Sequence, residues 1–497
     1  MSLTRTKSIE QSIADTEEPD HRLRKNLGAL DLIVFGVGVI IGAGIFVLTG
    51  QAAATNAGPA ISLSFLIAGV ACGLAALCYA EFASTVPVAG SAYTFSYATF
   101  GELVAWTIGW DLILEFTVGS AALSVGFSGY LQNLLADTPF EIPASLGSAA
   151  DGTVDLPAIV IALVVMGILI GGIKFSSVFN QVVVAIKIAV VVAVVVAGIG
   201  YIVTDNFSPF IPPSEPTTAG GGAFRETPLI QTLFGMEPAV FGVAGIFAAA
   251  AIVFFAFIGF DIVATTAEET RNPQRDVPLG ILGSLAIVTV LYMAVSLVIT
   301  GMQDYRDIDP EDAAPLATAF DAVGVEWMGN LISVGATIGL TVVVMILMLG
   351  QTRVAFAMAR DGLLPTGLAK VHPTFGTPSR ITAITGVAVA AIAGFVDLST
   401  LANLVNIGTL FAFILVSIGV VVLRHTRPDL PRAFRTPAVT VVATLAVLMC
   451  LYLMLNLTGD TWLRFLIWMA IGFVVYFAYG RWNSRLGKRL ADADRTT

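Results

Sequence analysis

Long apolar stretches alternate with short polar connections along this chain, and the pattern predicts twelve membrane-spanning helices. Each stretch is close to or above the roughly 20 residues that cross the hydrocarbon core of a bilayer. The expected spans are 28–50, 59–84, 101–133, 156–173, 178–203, 242–268, 279–301, 327–356, 379–396, 401–423, 437–457 and 461–480. The third and eighth exceed what a bilayer requires, which indicates tilt or an extension into water.

Two of these spans are interrupted near their middle. The first contains four glycines, at positions 36, 38, 42 and 44, and the sixth contains the step FIGFD at 257–261. Backbone leaves helical geometry at membrane depth only where it is buried in protein or lines a wet cavity. Interrupted helices at corresponding places in two halves of a chain point to the binding site of a transporter.

Composition and charge agree with a polytopic membrane protein. The chain has 497 residues, of which 56% are hydrophobic and 12% charged, and a soluble protein does not bury that much apolar surface. All but four of the 25 Lys and Arg residues fall on one side if the N-terminus is cytoplasmic, so both termini are expected inside the cell, with the protein in the plasma membrane. Residues 1–26 and 481–497 are expected to be cytoplasmic tails, the first of them disordered.

Several classes of function are disfavoured by what the sequence contains. The outer connection 302–326 is acidic, as is the whole chain with a formal net charge of -10, and this indicates either a funnel for cations or, preferably, a strongly solvated surface. The three cysteines lie inside spans without metal-ligand spacing, and the three histidines lie at cytoplasmic positions. We found no phosphate-binding loop, metal cluster or basic stripe, so we expect no metal, cofactor or nucleic-acid partner and no enzymatic activity.

The interruption of the first span suits an α-amino acid. If the helix unwinds at Gly42, its second half begins near Ala43–Phe46 with free N–H groups, which favour a carboxylate. The carbonyls left by the first half suit an ammonium group. The substrate-binding residues expected here are Ile40, Ile41, Gly42, Ala43, Gly44 and Ile45. The alternative is that these glycines only allow close helix packing.

The sixth span supplies aromatic rings, one glycine and one carboxylate at the same depth. Phe254, Phe257 and Phe260 are expected to wall the substrate together with Ile258 and Gly259, although each ring could equally be packed in the core. Asp261 is expected to face a cavity or a partner, because a carboxylate inside the membrane is costly.

Five motifs resemble the amino acid–polyamine–organocation superfamily. They are GVIIGAGIF at 38–46, PVAGSAY at 87–93, the segment 260–276 ending in RNPQRD, ARDGLLP at 359–365, and GWDLILE at 109–115, the last typical of the cationic amino acid transporter branch. The resemblance implies an all-α fold of the leucine-transporter type, in which five helices are repeated with inverted topology. The units would then be 27–203, an extracellular loop 204–241, the second repeat 242–424, and two accessory helices in 437–480.

Lys187 is the only basic residue deep within a span. It lies nine residues beyond Val178, about 13 Å into a core roughly 30 Å thick. The alternative is a lysine whose stem reaches the interface. The resemblance implies that such a lysine takes the place where sodium-coupled relatives bind their ion, so transport is expected to be proton-linked and sodium-independent.

Asp111 and Glu115 lie one helical turn apart and therefore on one face of the third span. Glu115 is the deeper of the two and is a candidate ion-pair partner for Lys187, because an unpaired charge at that depth is costly. Alternatively, Glu115 lines the pocket and recognises a basic substrate side chain. We group Asp111, Glu115, Lys187 and Asp261 as candidate coupling residues.

Charged residues at the cytoplasmic ends of the sixth and eighth spans form a candidate gate. They are Glu268, Glu269, Arg271 and Arg360. Solvated surface charges are the ordinary interpretation, and the resemblance implies an inner gate of ion pairs. The function expected from the sequence is secondary transport of amino acids with basic or neutral specificity. The alternatives are an exchanger for an amino acid and its amine, or a sensor that does not translocate, and the oligomeric state stays open.

Overall fold

A computed structural model describes residues 27–85, 91–136, 138–149, 152–172, 177–216, 224–266, 270–432 and 434–496. The tail expected at 1–26 and two of the four gate residues, Glu268 and Glu269, lie outside these ranges. The part of the loop motif at 87–90 also lies outside them.

The described chain is almost entirely helical. Its α-helices are α1 (Ala29–Ile40), α2 (Thr49–Ala52), α3 (Ile61–Thr85), α4 (Ser91–Thr99), α5 (Glu102–Leu135), α6 (Ala144–Gly147), α7 (Leu156–Ile170), α8 (Ser177–Gly198), α9 (Leu229–Leu233), α10 (Gly242–Val253), α11 (Phe260–Thr265), α12 (Pro273–Met302), α13 (Pro315–Ala322), α14 (Glu326–Arg360), α15 (Ser379–Phe395), α16 (Leu398–Thr426), α17 (Val439–Leu455), α18 (Gly459–Val475), α19 (Arg481–Asn483) and α20 (Arg485–Thr496).

Shorter elements join these helices. Segments of π-helix occupy Gly44–Leu48, Ala53–Ala57 and Tyr476–Gly480, and segments of 3-10 helix occupy Gly58–Ala60, Ile199–Tyr201, Thr204–Phe207, Phe254–Phe257 and Thr366–Ala369. Two short strands, β1 (Glu215–Pro216) and β2 (Ala239–Val240), pair antiparallel, with Glu215 opposite Val240.

Eight helical stretches in the described ranges are long and apolar enough to cross a membrane. They are Gly44–Thr85, Glu102–Leu135, Gln181–Tyr201, Gly242–Ala264, Pro273–Met302, Glu326–Arg360, Leu398–Thr426 and Gly459–Asn483. Four shorter apolar helices, α1, α7, α15 and α17, lie where the sequence predicts further spans. The prediction of a helical, polytopic membrane protein agrees with this architecture.

The two longest helices, α5 and α14, pack against each other through the middle of the molecule. Helix α12 packs on α1 and α3, α7 pairs with α15, and α16 packs on α5. Glycine allows the closest of these approaches: a Cβ on Gly38 of α1 would lie 2.2 Å from Val184 Cγ2 of α8. Without a hydrophobic driving force between helices in lipid, such close packing carries much of their association.

The first interruption follows α1. Ile41 adopts an extended conformation (φ −67°, ψ 100°), and helical structure resumes at Gly44 as a π-helical segment. The second interruption follows α10: a 3-10 turn at Phe254–Phe257, extended Ile258 (φ −63°, ψ 136°), and Gly259 at φ 119°, after which α11 begins.

The two interruptions contact each other directly. The π-helical segment Gly44–Leu48 packs on the 3-10 turn Phe254–Phe257. A Cβ on Gly44 would lie 2.2 Å from Ala256 Cα, so only glycine lets the two backbones approach this closely. We call this contact the junction, and define it as residues 40–46 together with residues 254–260.

Candidate functional site

A small cavity of about 20 Å³ lies at the junction. Its wall combines groups from both interruptions with side chains of α5, α14 and α16. The lining residues are Val39, Ile40, Gly42, Ala43, Gly44, Glu115, Phe116, Gly119, Leu123, Phe255, Ile258, Val343, Leu347 and Val405. A volume of this size holds about one water molecule, so a larger ligand enters only if the walls separate.

The ammonium group of Lys187 caps the broken end of α1. Its Nζ donates to the carbonyl oxygen of Ile41 at 2.8 Å and also to that of Gly38. The side chain is 1% exposed, and a Cβ on Gly339 of α14 would lie 2.4 Å from Lys187 Cδ. Gly339 therefore provides the space through which the lysine stem passes from α8 to α1.

Lys187 and Glu115 are not joined in this structure. The lysine donates to backbone carbonyls, whereas Glu115 lines the cavity with its Oε1 atom buried and without a hydrogen-bond partner. The ion pairs between described residues do not include either side chain. In this structure Glu115 lines the cavity and is not paired with Lys187.

Tyr292 of α12 links the two interruptions. Its hydroxyl oxygen lies 2.9 Å from the carbonyl oxygen of Ile40 and 3.0 Å from that of Ala256. A phenol carries one proton and donates to one acceptor at a time, so the two carbonyls share a single donor. An ammonium group would have donors for both.

Other side chains bind the backbone around the junction. The Tyr130 hydroxyl donates to the carbonyl of Phe46 at 2.5 Å, and the amide of Asn406 donates to the carbonyls of Ala251 and Ile252 at 2.8 and 2.9 Å. These side chains donate to backbone carbonyls close to the two interruptions.

Three buried carboxyl groups lie beside the junction. Asp111, Glu115 and Asp261 are 0%, 2% and 3% exposed, and each has at least one oxygen without a hydrogen-bond partner. Asp111 and Asp261 lie close enough to Glu115 for their charges to interact. Gly408 of α16 makes room for Asp111, since a Cβ there would lie 2.8 Å from its Oδ1. Within the described ranges, no group of His, Cys, Asp and Glu side chains is arranged to hold a metal ion.

The structure places the predicted aromatic wall elsewhere. Phe254 packs edge-on against Phe413, while Phe257 packs against Phe65 and Tyr292. Phe260 packs against Tyr79 and Phe413. These rings form a buried aromatic core that does not line the small cavity, and Phe255 and Ile258 line it instead.

A second, larger cavity of about 940 Å³ lies on the side of the junction where α1 begins and α14 ends. We call it the vestibule. Its polar wall includes Asp31, Gln181, Arg353 and Arg360, and Phe116 lines both the vestibule and the small cavity. Phe116 therefore stands between the two spaces.

Of the predicted gate residues, the structure describes two. Arg360 lines the vestibule. Arg271 is exposed, and its backbone N–H donates to the carbonyl of Leu27 at 2.9 Å, which ties the entry of α12 to the start of α1. Neither guanidinium group takes part in an ion pair between described residues.

Several residues of the site are missing from the sequence-based prediction. Tyr292 and Tyr130 are lone phenols deep within apolar helices, a signal that was available because a buried hydroxyl needs a partner. Gly339, Gly119 and Phe116 carry no such signal, since each matters only through its neighbours on other helices.

Comparison with known proteins agrees with this architecture. A sequence profile described as amino acid permease matches residues 27–477. The chain is 46% identical over 491 residues to the methylthioribose transporter of Bacillus subtilis (strain 168), covering 98% of this chain and 100% of that protein. It is 45% identical over 494 residues to the branched-chain amino acid permease BcaP of the same organism, covering 98% and 99%.

A plant protein is also similar. The chain is 42% identical over 432 residues to the vacuolar cationic amino acid transporter 2 of Arabidopsis thaliana, covering 86% of this chain and 64% of that protein.

Proposed function

The chain belongs to the amino acid permease family, and from this premise we propose that it is a secondary transporter that carries α-amino acids across the plasma membrane by alternating access. The observation that carries the proposal is the junction. Two interrupted helices meet at one buried cavity, where backbone amides, backbone carbonyls and a carboxyl group lie together.

The proposed architecture comprises twelve spans. The eight long apolar stretches and the four shorter apolar helices together supply that number. Residues 27–203 and 242–424 would be two five-helix repeats of inverted topology, each beginning with an interrupted helix. Residues 204–241 would form the extracellular loop and 437–480 two accessory helices, with both termini in the cytoplasm.

The proposed substrate is an α-amino acid with an apolar side chain. The amides at the start of the segment Gly44–Leu48 follow the broken end of α1 and suit the carboxylate, although that of Phe46 donates to the carbonyl of Gly42 at 3.4 Å. The carbonyls of Ile40 and Ala256, which share the Tyr292 hydroxyl, suit the ammonium group. Leu123, Val343, Leu347 and Val405 offer an apolar wall to the side chain.

A basic amino acid is the second candidate, and Glu115 favours it. The unpartnered Oε1 atom of Glu115 lines the cavity and would pair with a cationic side chain. The test is uptake of labelled leucine, alanine, lysine and arginine into vesicles containing the purified protein and its Glu115→Gln variant. Selective loss of lysine and arginine uptake supports the basic class. If uptake of all four amino acids falls equally, Glu115 is needed for the transport cycle and does not select the substrate side chain.

Three further possibilities are separated by the same assay. Methylthioribose has neither a carboxylate nor an ammonium group, so strong competition by it would contradict recognition of a zwitterion. Uptake that requires an amino acid or an amine inside the vesicle would indicate an exchanger. Binding of an amino acid without any uptake would indicate a sensor.

We further propose that transport is linked to protons through Lys187 and does not need sodium. The ammonium group already occupies the carbonyls of Gly38 and Ile41, which are the kind of oxygen ligands that a metal cation would use. Loss of its proton would remove the positive charge and weaken both hydrogen bonds at once, because a neutral amine is a weaker donor than an ammonium group, and the end of α1 would be freer to move. Uptake driven by an imposed proton gradient, and unchanged by sodium, is the expected result; a strict requirement for sodium would contradict it.

The vestibule is the proposed path to the cytoplasm. It is lined by α1, α8, α11 and α14, and Phe116 separates it from the small cavity. In this proposal the structure represents a state with the cytoplasmic side open and the binding cavity collapsed. Arg360 at the wall, with Arg271, Glu268 and Glu269 at the exit of the sixth span, would form the inner gate when the vestibule closes.

A further inference from the structure

The segment that follows the last membrane helix is anchored by hydrogen bonds to the start of α5 and to the end of α14. We call residues 480–490 the C-terminal clamp. Glu102, which is fully buried, accepts hydrogen bonds from the hydroxyls of Tyr97 and Tyr476, both at 3.0 Å, and from that of Ser484 in the clamp. Ser484 also caps α20, since its Oγ accepts from the N–H of Gly487 at 3.1 Å.

The clamp also binds the backbone of α14 at the point where that helix ends. The N–H of Arg485 donates to the carbonyl of Asp361 at 2.9 Å, and the Asp361 carboxylate accepts from the Tyr93 hydroxyl at 2.8 Å. Gly362 has a φ of 82°, and a Cβ there would lie 2.4 Å from the carbonyl oxygen of Asn483. The clamp thus holds the end of a helix whose residues Arg353, Ala357 and Arg360 line the vestibule.

The outer face of the clamp is basic and amphipathic. Ser484 and Gly487 are buried against the protein, whereas Trp482, Arg485, Lys488, Arg489 and Leu490 are exposed. Helix α20 carries four basic and two acidic residues. It follows a membrane-crossing stretch after only one residue, so it begins where the chain leaves the bilayer. Exposed arginine and lysine beside a tryptophan and a leucine are typical of helices that lie on anionic membrane surfaces.

From this geometry we propose that the C-terminal clamp binds anionic lipid head groups through Arg485, Lys488 and Arg489, and that this binding sets the position of the vestibule end of α14. The lipid surface would stabilise the docked clamp, and through Ser484 and Arg485 it would stabilise the contacts with Glu102 and Asp361. The second half of the proposal rests on the transport function proposed above, whereas lipid binding does not.

The first test reports on lipid binding without any substrate. An environment-sensitive fluorophore is attached to a Leu490→Cys variant of the full-length protein, in which the three native cysteines are buried. Vesicles of phosphatidylcholine, with or without phosphatidylglycerol, are compared. We expect a blue shift with phosphatidylglycerol that high salt reverses, because screening weakens attraction to the surface. An identical spectrum in both lipids would overturn the proposal.

Charge variants identify the contact. The combined variant R485Q/K488Q/R489Q should lose the shift, since each basic residue near an anionic surface contributes about fivefold to partitioning and three contribute on the order of a hundredfold. Lys488→Arg, which keeps the charge, should retain it. A full shift in the combined variant would assign lipid contact to other residues and contradict the proposal.

The second test measures transport. Initial uptake should differ several-fold between the two lipid compositions for the wild-type protein and should be the same in both for the combined variant. If the fluorophore spectrum depends on the lipid but uptake does not, the proposed effect of the clamp on the position of α14 is wrong, and the clamp is only a membrane anchor.

Discussion

The two interruptions of the junction are held by different means. The first is held by polar side chains from other helices, with Lys187 on the carbonyls of Gly38 and Ile41 and Tyr130 on that of Phe46. The second has no ammonium donor: it is held by Gly259 at φ 119°, by a buried aromatic core and by the uncharged amide of Asn406 on the carbonyls of Ala251 and Ile252. Among the described residues, the Tyr292 hydroxyl lies within hydrogen-bond distance of carbonyls from both interruptions.

This difference suggests that the two interruptions have different functions during transport. A break held by an ammonium group and hydroxyls can be weakened by moving a proton, which removes the charge from the donor, or by offering a better donor, such as a substrate. An interruption that is fixed by a glycine in a left-handed conformation and by packed aromatic rings cannot be loosened by a proton or a substrate in this way. We therefore expect the first interruption to move during transport and the second to serve as its fixed support.

Removal of the lysine ammonium should give the largest effect. Lys187→Met keeps an apolar stem beside Gly339 but leaves two buried carbonyls without their donor, each costing about 1–3 kcal/mol. We expect gradient-driven uptake in proteoliposomes to fall by about tenfold or more, with a lower unfolding temperature. Ile186→Met, one residue earlier on α8, is the matched control and should transport normally. If proton-driven uptake survives in Lys187→Met, the claim that the first interruption is released through the lysine is wrong.

Glycine substitutions test whether backbone conformation holds the second interruption. Gly259→Ala places a side chain in a left-handed conformation against Val39, and such strain costs roughly 1–3 kcal/mol. The control is Gly167→Ala in α7, where nothing lies within 4 Å of the added carbon, and which should stabilise the helix by about 0.5–1 kcal/mol. Thermal unfolding in detergent measures both. If the two variants unfold at the same temperature, backbone conformation does not hold the second interruption.

Loss of the shared hydroxyl should have the smallest effect. Tyr292→Phe keeps the ring packed between Phe65 and Phe257 but removes a donor worth about 0.5–1.5 kcal/mol. If the hydroxyl stands in for the substrate ammonium, the variant should bind substrate more tightly and release it more slowly, so that KM and kcat fall together. A raised KM with unchanged kcat would instead show that the Tyr292 hydroxyl contacts the bound substrate.

Much of the fold was accessible from the sequence because the membrane restricts the choices. Apolar length predicts spans, and glycine clusters together with an embedded aspartate predict where helices break. Lys187, Glu115 and Asp261 stood out because charge is costly at depth. The phenylalanines could not be assigned, since periodicity does not say which side of a broken helix faces the cavity: Phe255 does, and Phe254, Phe257 and Phe260 do not.

The contacts that a side chain makes with other helices could also not be predicted from the sequence. Lys187 was expected to meet a carboxylate, because an ion pair is the usual answer to burial cost. Instead a broken helix end offers carbonyl oxygens, and Gly339 on a third helix opens the path to them. Such an arrangement needs three helices in register, which no local pattern encodes.

Recognition of a zwitterion at the junction is the central claim, and it is most directly tested by measuring binding to the purified protein. Taking leucine as the reference ligand, binding should weaken strongly for leucinol, which lacks the carboxylate, and for N-acetylleucine, which lacks the ammonium group. Each loses a charge-assisted contact worth about 1.5–3 kcal/mol, or roughly tenfold to a hundredfold in Kd. If both analogues bind as tightly as leucine, the junction does not recognise the zwitterion and the account of the site is wrong.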